Sequence, residues 1–439
     1  MAKKTRKSEA SSDEDLDLKI GSKEFFNELI KGTEFKIANE GALMTNRPKT
    51  PTPLSVLNCI FGEGIPMAVQ MEVSGLPAGG KSTFAYGMMG LFQQKYGDSG
   101  VAVVLDIEDS LDETRLRQFG VDTSRVLRLP SLSLEKAFEN MFKMFSKVIA
   151  IKEKTKQDIH LFIIYDSLDA GGTDKQHESI DAGGSAMTYG GGMMEKPRIL
   201  KQNTASVTRF LEQVDAVVCY LNQVQTKGIG SYITTVDSGG GFGKDHNMHI
   251  KLQFGSAKDD KIKEGDIEYI VGTKSYVKIT KNKVGPKFNQ IPCYIDVRKL
   301  GIIDEVKSFI LYLTEGNYIK QGGGWYQFNG PLEYILEKFG DYLDGDTLDK
   351  YIDHKYREKD LIETVREDKD LYYLLQVFLI EKITDVYPAN SLNTNTYRQS
   401  LINSCKYFIN KDVPVRELES NKLVDLTDKL VEEEEEEDK

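Results

Sequence analysis

The sequence predicts an α/β fold: a core built on a mainly parallel central sheet, preceded by an N-terminal arm and followed by a mostly helical C-terminal region. Three observations predict it. Several apolar runs are unbroken rather than alternating, as in strands whose two sheet faces are both covered by helices. These runs are separated by segments with helical periodicity. The first run ends in a glycine-rich turn that opens directly into a helix pattern, GLPAGGKST at 75–83.

The elements follow in chain order. Residues 1–22 are polar and charged, with few large apolar side chains, which is the composition of chain that cannot bury enough surface to fold alone. Residues 23–34, KEFFNELIKGTE, have the spacing of a short amphipathic helix. The stretch to 53 ends in RPKTPTP, where prolines favour extended chain. Residues 1–53 therefore read as a flexible or oligomerising arm. In the core, 67–75 is a strand, 81–97 a helix, 101–109 a continuously apolar strand and 133–154 a long amphipathic helix. HLFIIYDS (160–167) and DAVVCYLNQ (215–223) are further buried strands. Between 248 and 298 the pattern changes. IKLQF, YVKITKNK and CYIDVRK alternate, which predicts antiparallel strands with one wet face. Residues 331–430 have mainly helical periodicity, and 431–439 form an acidic tail. Two glycine-rich polar segments, 169–196 and 224–245, are longer than ordinary connections; loops of that length are commonly functional.

Composition narrows the function classes. Of 439 residues, 40% are hydrophobic and 10% aromatic, enough for a sizeable core. Four scattered cysteines, Cys59, Cys219, Cys293 and Cys405, form neither a disulfide framework nor a zinc pattern. They read as reduced thiols of an intracellular, cytoplasmic protein. No apolar stretch approaches the roughly 18 residues a spanning helix needs, so no membrane partner is expected. The net charge is −11, of which the last nine residues, VEEEEEEDK, carry −6. A passive, strongly basic nucleic-acid coat is excluded; any nucleic acid must be held by local patches.

The strongest chemical signal is Gly75-Leu76-Pro77-Ala78-Gly79-Gly80-Lys81-Ser82, a complete G-x-x-x-x-G-K-[ST]. Gly75, Gly79 and Gly80 let backbone N–H groups turn around phosphate oxygens. Lys81 brings a point charge to the β- and γ-phosphates, and the Ser82 hydroxyl can ligate Mg²⁺. The helix that starts here directs its positive end at the same place. Asp166 ends the run HLFIIYD, at the strand edge where doubly wound sheets bind ligands; it suits a second Mg²⁺ contact, against the plainer reading of a turn acid. Glu108 in LDIEDSLD is a candidate base for an attacking water, with Asp106 and Asp109 as competitors. Alternation puts Asp106 and Glu108 on one strand face and Asp109 on the other. Gln223 ends CYLNQ and either caps the strand or senses a phosphate. Lys281 and Lys283 share one strand face, comfortable around an anion but also ordinary on an edge strand. In the long loops, Met193, Lys196, Arg198 and Lys201, then Lys227, Tyr232, Phe242 and Lys244, mix cations with apolar or aromatic groups. That mixture holds a phosphate backbone and stacks on bases; the plain alternative is a pair of solvated surface loops. His246 and His249 lack the companions of a metal site.

Together these residues resemble the RecA family of recombinases, and most closely the UvsX-type recombinases of large tailed phages. The resemblance runs from about Leu54 to Phe328. It rests on LSVLNCIFGEGIP, GLPAGGKST, LDIEDSLDETRLRQFGVD, HLFIIYDSLD, CYLNQ before a Gly-rich loop, KNKVGPKF and GWYQFNG. It implies a RecA-like P-loop ATPase core over 54–330, with ATP and Mg²⁺ as cofactors. It implies helical filaments on single-stranded DNA, pairing with homologous duplex DNA, and loader or single-strand-binding partner proteins. The site residues it implies are Lys81, Ser82 and Thr83 on phosphate, Ser82 and Asp166 on Mg²⁺, and Glu108 as catalytic carboxylate. Gln223 would couple the γ-phosphate to the second DNA loop, and Lys281 and Lys283 would reach a neighbour's phosphates in trans. Asp112 and Arg115 would border the nucleotide; Arg115 stands where many relatives place an aromatic on the adenine. Residues 169–196 and 224–245 would be the DNA loops, with Met193, Arg198, Lys227, Tyr232 and Lys244 facing DNA. If the chain is phage-encoded, its compartment is the bacterial host cytoplasm.

Two other readings share the core. One is a hexameric replicative helicase, disfavoured because no large helical domain precedes the core. The other is a recombinase paralogue that binds ATP as a switch and loads another filament; Glu108 speaks for turnover instead.

Overall fold

The computed structural model describes residues 27–29, 31–32, 47–130, 133–181, 192–228, 234–238, 242–299 and 301–416. The chain separates into two compact units, Met1–Asn46 and Arg47–Lys439. In the first, residues 27–29 are helical and Lys31 pairs with Glu28 one turn away. The second begins seven residues before the expected start of the core at Leu54. Its proline-rich opening is no free arm: Lys49, Thr50 and Thr52 are buried.

Short strands β1 (Lys49–Thr50) and β2 (Ile65–Pro66) pair around helix α1 (Ser55–Phe61). The core then alternates: β3 (Val69–Gly75), α2 (Lys81–Tyr96), β4 (Gly100–Asp106), α3 (Glu113–Gln118), β5 (Val126–Pro130), α4 (Leu134–Thr155) and β6 (His160–Asp166). Helices α5 (Asp174–Asp181) and α6 (Gly192–Val214) lead into the long strand β7 (Ala216–Gly228), which turns back as β8 (Thr234–Ser238). A short helix α7 (Phe242–Asp245) precedes β9 (Ile250–Phe254), β10 (Lys258–Glu264), β11 (Ile267–Asn282), β12 (Ile291–Asp296) and β13 (Ile302–Ile303).

The main sheet runs β13-β12-β11-β9-β3-β7-β6-β4-β5, with β10 on β11 and β8 on β7. From β9 to β5 the strands are parallel; β11, β12 and β13 join antiparallel. The expected α/β class with a mainly parallel sheet is borne out. Every residue of β3 is buried, and β4 and β6 nearly so, because helices cover both faces. On one face α4 sets Leu134, Ala137, Phe138, Met141, Phe145 and Val148 against Val103, Ile163, Tyr165 and Val218, the i, i+3, i+4 stripe of an amphipathic helix. Ser133 caps it by accepting from the Lys136 N–H. On the other face α2 buries Phe84, Met88 and Phe92; the Phe84 ring meets Phe254 and the Phe92 ring meets Phe162. Gly90 lets the backbone of Phe119 approach: a Cβ there would stand 2.1 Å from its carbonyl oxygen.

Three local expectations change. The strand expected over 101–109 stops at Asp106, and Ile107, Glu108 and Asp109 form a turn. IKLQF, expected among antiparallel strands, is β9, parallel to β3 on one side and antiparallel to β11 on the other. The second glycine-rich segment is not loop throughout, since β7 and β8 pair from Val224↔Ser238 to Gly228↔Thr234.

The C-terminal part continues with α8 (Glu305–Glu315), the hairpin β14 (Lys320–Gly322) and β15 (Trp325–Gln327), and helices α9 (Asn329–Phe339), α10 (Gly345–Leu348), α11 (Glu358–Glu367), α12 (Lys369–Val386) and α13 (Ser391–Ser404). These helices lock onto the start of the same unit. The buried Lys49 ammonium donates to the carbonyls of Phe61 (2.8 Å) and Asn393 (2.9 Å). Gly62 is in the left-handed region, and a Cβ on it would lie 1.9 Å from the Asn393 carbonyl oxygen. No helix among the described residues is long and apolar enough to cross a membrane.

Candidate nucleotide-binding site

The parallel strands set the site. β3, β4 and β6 end on one edge of the sheet, where β7 passes at Gln223 before it continues into its hairpin with β8. Gly75 at the end of β3 stands beside Gln223 of β7, and Asp106 of β4 beside Asp166 of β6. That edge is where an open α/β sheet receives a ligand.

The glycine loop is shaped by close approach. A Cβ on Gly75 would lie 2.6 Å from the Phe254 carbonyl oxygen. Gly80, the N-cap of α2, has φ +101° and no side chain capping the first turn. The first-turn N–H groups therefore lack a side-chain acceptor of their own, which suits an anion. Lys81 folds its ammonium onto the carbonyls of Gly75 (3.0 Å) and Leu76 (2.9 Å). Burial pulls its pKa down, while Asp166 and Glu108 act the other way. Ser82 follows in the first turn, partly buried; Thr83 is buried and accepts a long contact from Arg115 Nη2 at 3.4 Å. Gly79 lies between these groups, its carbonyl taking the Ser275 hydroxyl at 3.1 Å. Asp112 caps α3 by accepting from the Thr114 N–H at 2.8 Å, one turn before Arg115.

Asp166 is buried, with a Tyr86 hydroxyl at 3.4 Å, and among the described residues no ion pair holds it. Burial first, then Glu108 and Asp106, push its pKa up to about 6. An acid left under-compensated beside a phosphate cradle fits a divalent cation. Glu108 is exposed in the turn after β4 and accepts from the Ser167 hydroxyl. The N–H groups of Ile107 (2.8 Å) and Glu108 (3.3 Å) both donate to the Asp166 carbonyl. The alternation argument for Asp106 and Glu108 therefore fails. Asp106 is buried and ion-paired to Arg128, whereas Glu108 is carried on a turn.

The structure brings Lys81, Ser82, Glu108, Asp166 and Gln223 to one edge. It does not bring Lys281 and Lys283 there. Asn282 pairs with Ile250, which pairs with Met71, so both lysines lie near the opposite end of β3. Four strand residues separate that level from Gly75, about 13 Å. Both ammonium groups rest on backbone carbonyls, Lys281 on those of Asp245 and His246 and Lys283 on that of His246.

The DNA-facing candidates divide. Arg198 is exposed on α6. Tyr232 and the side chains of Met193, Lys227 and Phe242 lie outside the described residues. Lys196 is half-buried and donates to the Asp169 carbonyl at 2.6 Å. Lys244 is a correction: it is fully buried and ion-paired to Glu72 at 2.7 Å and Asp245 at 3.2 Å, so its charge is spent inside the protein. Glu72 itself, buried in β3 and also taking the Asn222 amide at 2.6 Å, escaped the sequence reading. The signal for it was an acid in the middle of the strand pattern MEVSG.

Comparison with known proteins agrees with this geometry. The sequence model of the RecA N-terminal domain family matches residues 49–299. The chain is 26% identical over 299 residues to Protein RecA of Clostridioides difficile, covering 67% of this chain and 78% of that protein. It is 23% identical over 333 residues to Protein RecA 2 of Myxococcus xanthus, covering 73% and 86%. Against Protein RecA of Mannheimia haemolytica it is 24% identical over 300 residues, covering 68% and 74%.

Proposed function

Because the chain belongs to the RecA family, as the match over 49–299 establishes, we propose that it is an ATP-dependent DNA recombinase. It would assemble as a helical filament on single-stranded DNA and promote pairing and strand exchange with a homologous duplex. The observation that carries this reading is the split of the site. Lys81, Ser82, Glu108, Asp166 and Gln223 share one sheet edge, while Lys281 and Lys283 stand near the other end. A site completed by the lysines of a neighbour calls for a head-to-tail assembly, which is a helical filament where the rotation between subunits does not close and a ring where it does.

In this reading Lys81 leaves the Gly75 and Leu76 carbonyls for the β- and γ-phosphates. Ser82 and Asp166 hold Mg²⁺, which when bound neutralises phosphate charge. Thr83, Asp112 and Arg115 border the nucleotide. Glu108 aligns the attacking water and takes its proton, and Ser167 holds the carboxylate in place until then. Gln223, a strand neighbour of Gly75 at the foot of the β7–β8 hairpin, passes the state of the phosphates to the DNA loop. Lys281 and Lys283 act in trans as an arginine finger does. Residues 169–196 and 224–245 are the DNA loops, with Met193, Arg198, Lys227 and Tyr232 as contacts. Residues 1–46 are the arm that engages the next subunit.

The closer likeness to UvsX-type phage recombinases belongs to this proposal and rests on the runs GLPAGGKST, CYLNQ and KNKVGPKF. So do a bacterial host cytoplasm and partner proteins that load the filament. Negative-stain electron microscopy with Mg²⁺ and a slowly hydrolysed ATP analogue, with and without single-stranded DNA, tests it. Long helical filaments that need both ligands are expected. Closed rings would turn the reading to a helicase, and small particles throughout to a non-catalytic paralogue.

A further inference from the structure

We infer that Arg128, on the edge strand β5, is a positioning residue for the turn that carries Glu108. The inference rests on the reading of Glu108 as the hydrolytic carboxylate and goes beyond it by assigning what holds that carboxylate in place.

The turn needs an external hold. Its residues leave β4 after Asp106, and Asp109 sits in the left-handed region at φ +49°, an unfavourable conformation for a residue other than glycine. On one side the turn hangs from the Asp166 carbonyl through the N–H groups of Ile107 and Glu108. On the other it depends on Asp106. That carboxylate accepts the N–H of Ser110 at 3.0 Å and of Leu111 at 3.2 Å, closing the loop around Glu108. Arg128 fixes Asp106 in turn, donating Nε at 3.0 Å and Nη2 at 2.6 Å to one oxygen. The same Nη2 also meets Asp109 Oδ1. One guanidinium therefore ties together the residues two before and one after Glu108.

The register explains why an arginine can do this from β5. Arg128 pairs with Val104, two residues short of Asp106, so a long side chain must run up the strand edge to reach it. A lysine would bring one point charge and lose the fork that bridges two carboxylates. The arrangement also settles a charge problem. Asp106, Glu108 and Asp166 converge at this edge, and Asp106 is buried with Arg128 as its cation. Without Arg128 a third uncompensated carboxylate would crowd the other two. Arg128 itself is 41% exposed, so it contributes little to the core, and its contacts point to the turn.

The test measures single-stranded-DNA-dependent ATP hydrolysis by the full chain carrying Arg128→Ala, Arg128→Lys or Glu108→Gln. Arg128→Ala is expected to lower kcat about tenfold with KM for ATP within about twofold, a loss near 1.4 kcal/mol. Arg128→Lys should fall between it and the unaltered protein. Because the guanidinium lies at the surface, millimolar guanidinium ion, far below denaturing concentrations, should restore part of the Arg128→Ala rate and leave Arg128→Lys unchanged. A normal kcat in Arg128→Ala overturns the inference. So does a loss of kcat with a matching rise in KM and no recovery by guanidinium, which is the mark of a merely structural ion pair. If Glu108→Gln turns over normally, the reading of Glu108 falls and takes this inference with it. If Glu108→Gln is inactive while Arg128→Ala is normal, only the inference falls.

Discussion

Two buried carboxylates in this protein are treated in opposite ways. Glu381, on α12 in the C-terminal helical part, is fully buried and surrounded by Arg398, by Arg416 at 3.0 Å and by Lys338. Asp166, at the nucleotide edge, is almost as buried but has a single hydroxyl contact at 3.4 Å and no ion pair among the described residues. A buried charge is tolerated when it is paired. The closed cluster around Glu381 has nothing left to bind. The one around Asp166 is left open beside the glycine loop, and this is the residue proposed to hold Mg²⁺. Under-compensation, rather than burial or charge alone, is what distinguishes the proposed site from the scaffold.

The largest expected effect breaks the nucleotide end. Lys81→Ala should lower ATP hydrolysis by about a thousandfold or more, roughly 4 kcal/mol, with circular dichroism and the thermal midpoint nearly unchanged. Hydrolysis at the normal rate would remove the phosphate assignment. The matching operation on the closed cluster has the reverse signature. Glu381→Ala leaves Arg398 buried without its acid, and breaking a buried pair costs about 3–5 kcal/mol. Urea denaturation should show that loss, while the folded fraction hydrolyses ATP as before. A stable Glu381→Ala protein with impaired turnover would erase the contrast.

Glu108→Gln comes next: nucleotide binding and filaments persist, and turnover falls about a hundredfold or more, near 2.7 kcal/mol. Asp166 sharpens the comparison through pH. Its pKa is raised by burial to about 6, so the carboxylate that would hold Mg²⁺ is lost as pH falls through 6. The Mg²⁺ concentration needed for half-maximal hydrolysis should therefore climb below that pH. The sign for stability is the opposite of that for a paired acid. A group whose pKa is raised on folding contributes stability at low pH that disappears as pH rises through its folded value. In Mg²⁺-free buffer at pH 8, Asp166→Asn should therefore raise the thermal midpoint. A lower midpoint would mean that Asp166 is a structural acid after all.

How much of this was readable beforehand follows from the range of each constraint. The glycine loop was legible because its requirements lie within eight consecutive residues, and Asp166 because a fully buried strand announces its own end. Glu108 was placed on a strand face whereas it sits on a turn, since nothing in LDIEDSLD says that pairing stops at Asp106. Lys244 was misread altogether. Its partner Glu72 lies 172 residues away in sequence, and a lysine in a glycine-rich polar stretch looks solvated until the strand beneath it is known. A separation of 344 residues hid the interlock of Lys49 with Asn393, and the cluster around Glu381 was hidden because its partners sit on other segments, Arg398 being 17 residues away and Arg416 35. Local chemistry was visible in the sequence, whereas long-range compensation of charge became visible only when the strands and helices were in place.

The smallest effect concerns the acidic end of the chain. Arg416, fifteen residues before the tail in sequence, is fixed to Glu381 and Asp385 on α12. Residues 431–439 carry −6 of the total −11 and would compete with DNA phosphates for the same basic groups. Deleting them should tighten single-stranded DNA binding a few-fold at low salt. The gain should fade as ionic strength approaches about 0.15 M, where the screening length is near 8 Å. Hydrolysis at saturating DNA should not move, because nothing at the site is altered. An affinity that stays the same at every salt concentration would mean that the tail does not compete with DNA, and would leave docking of a basic partner protein as its role.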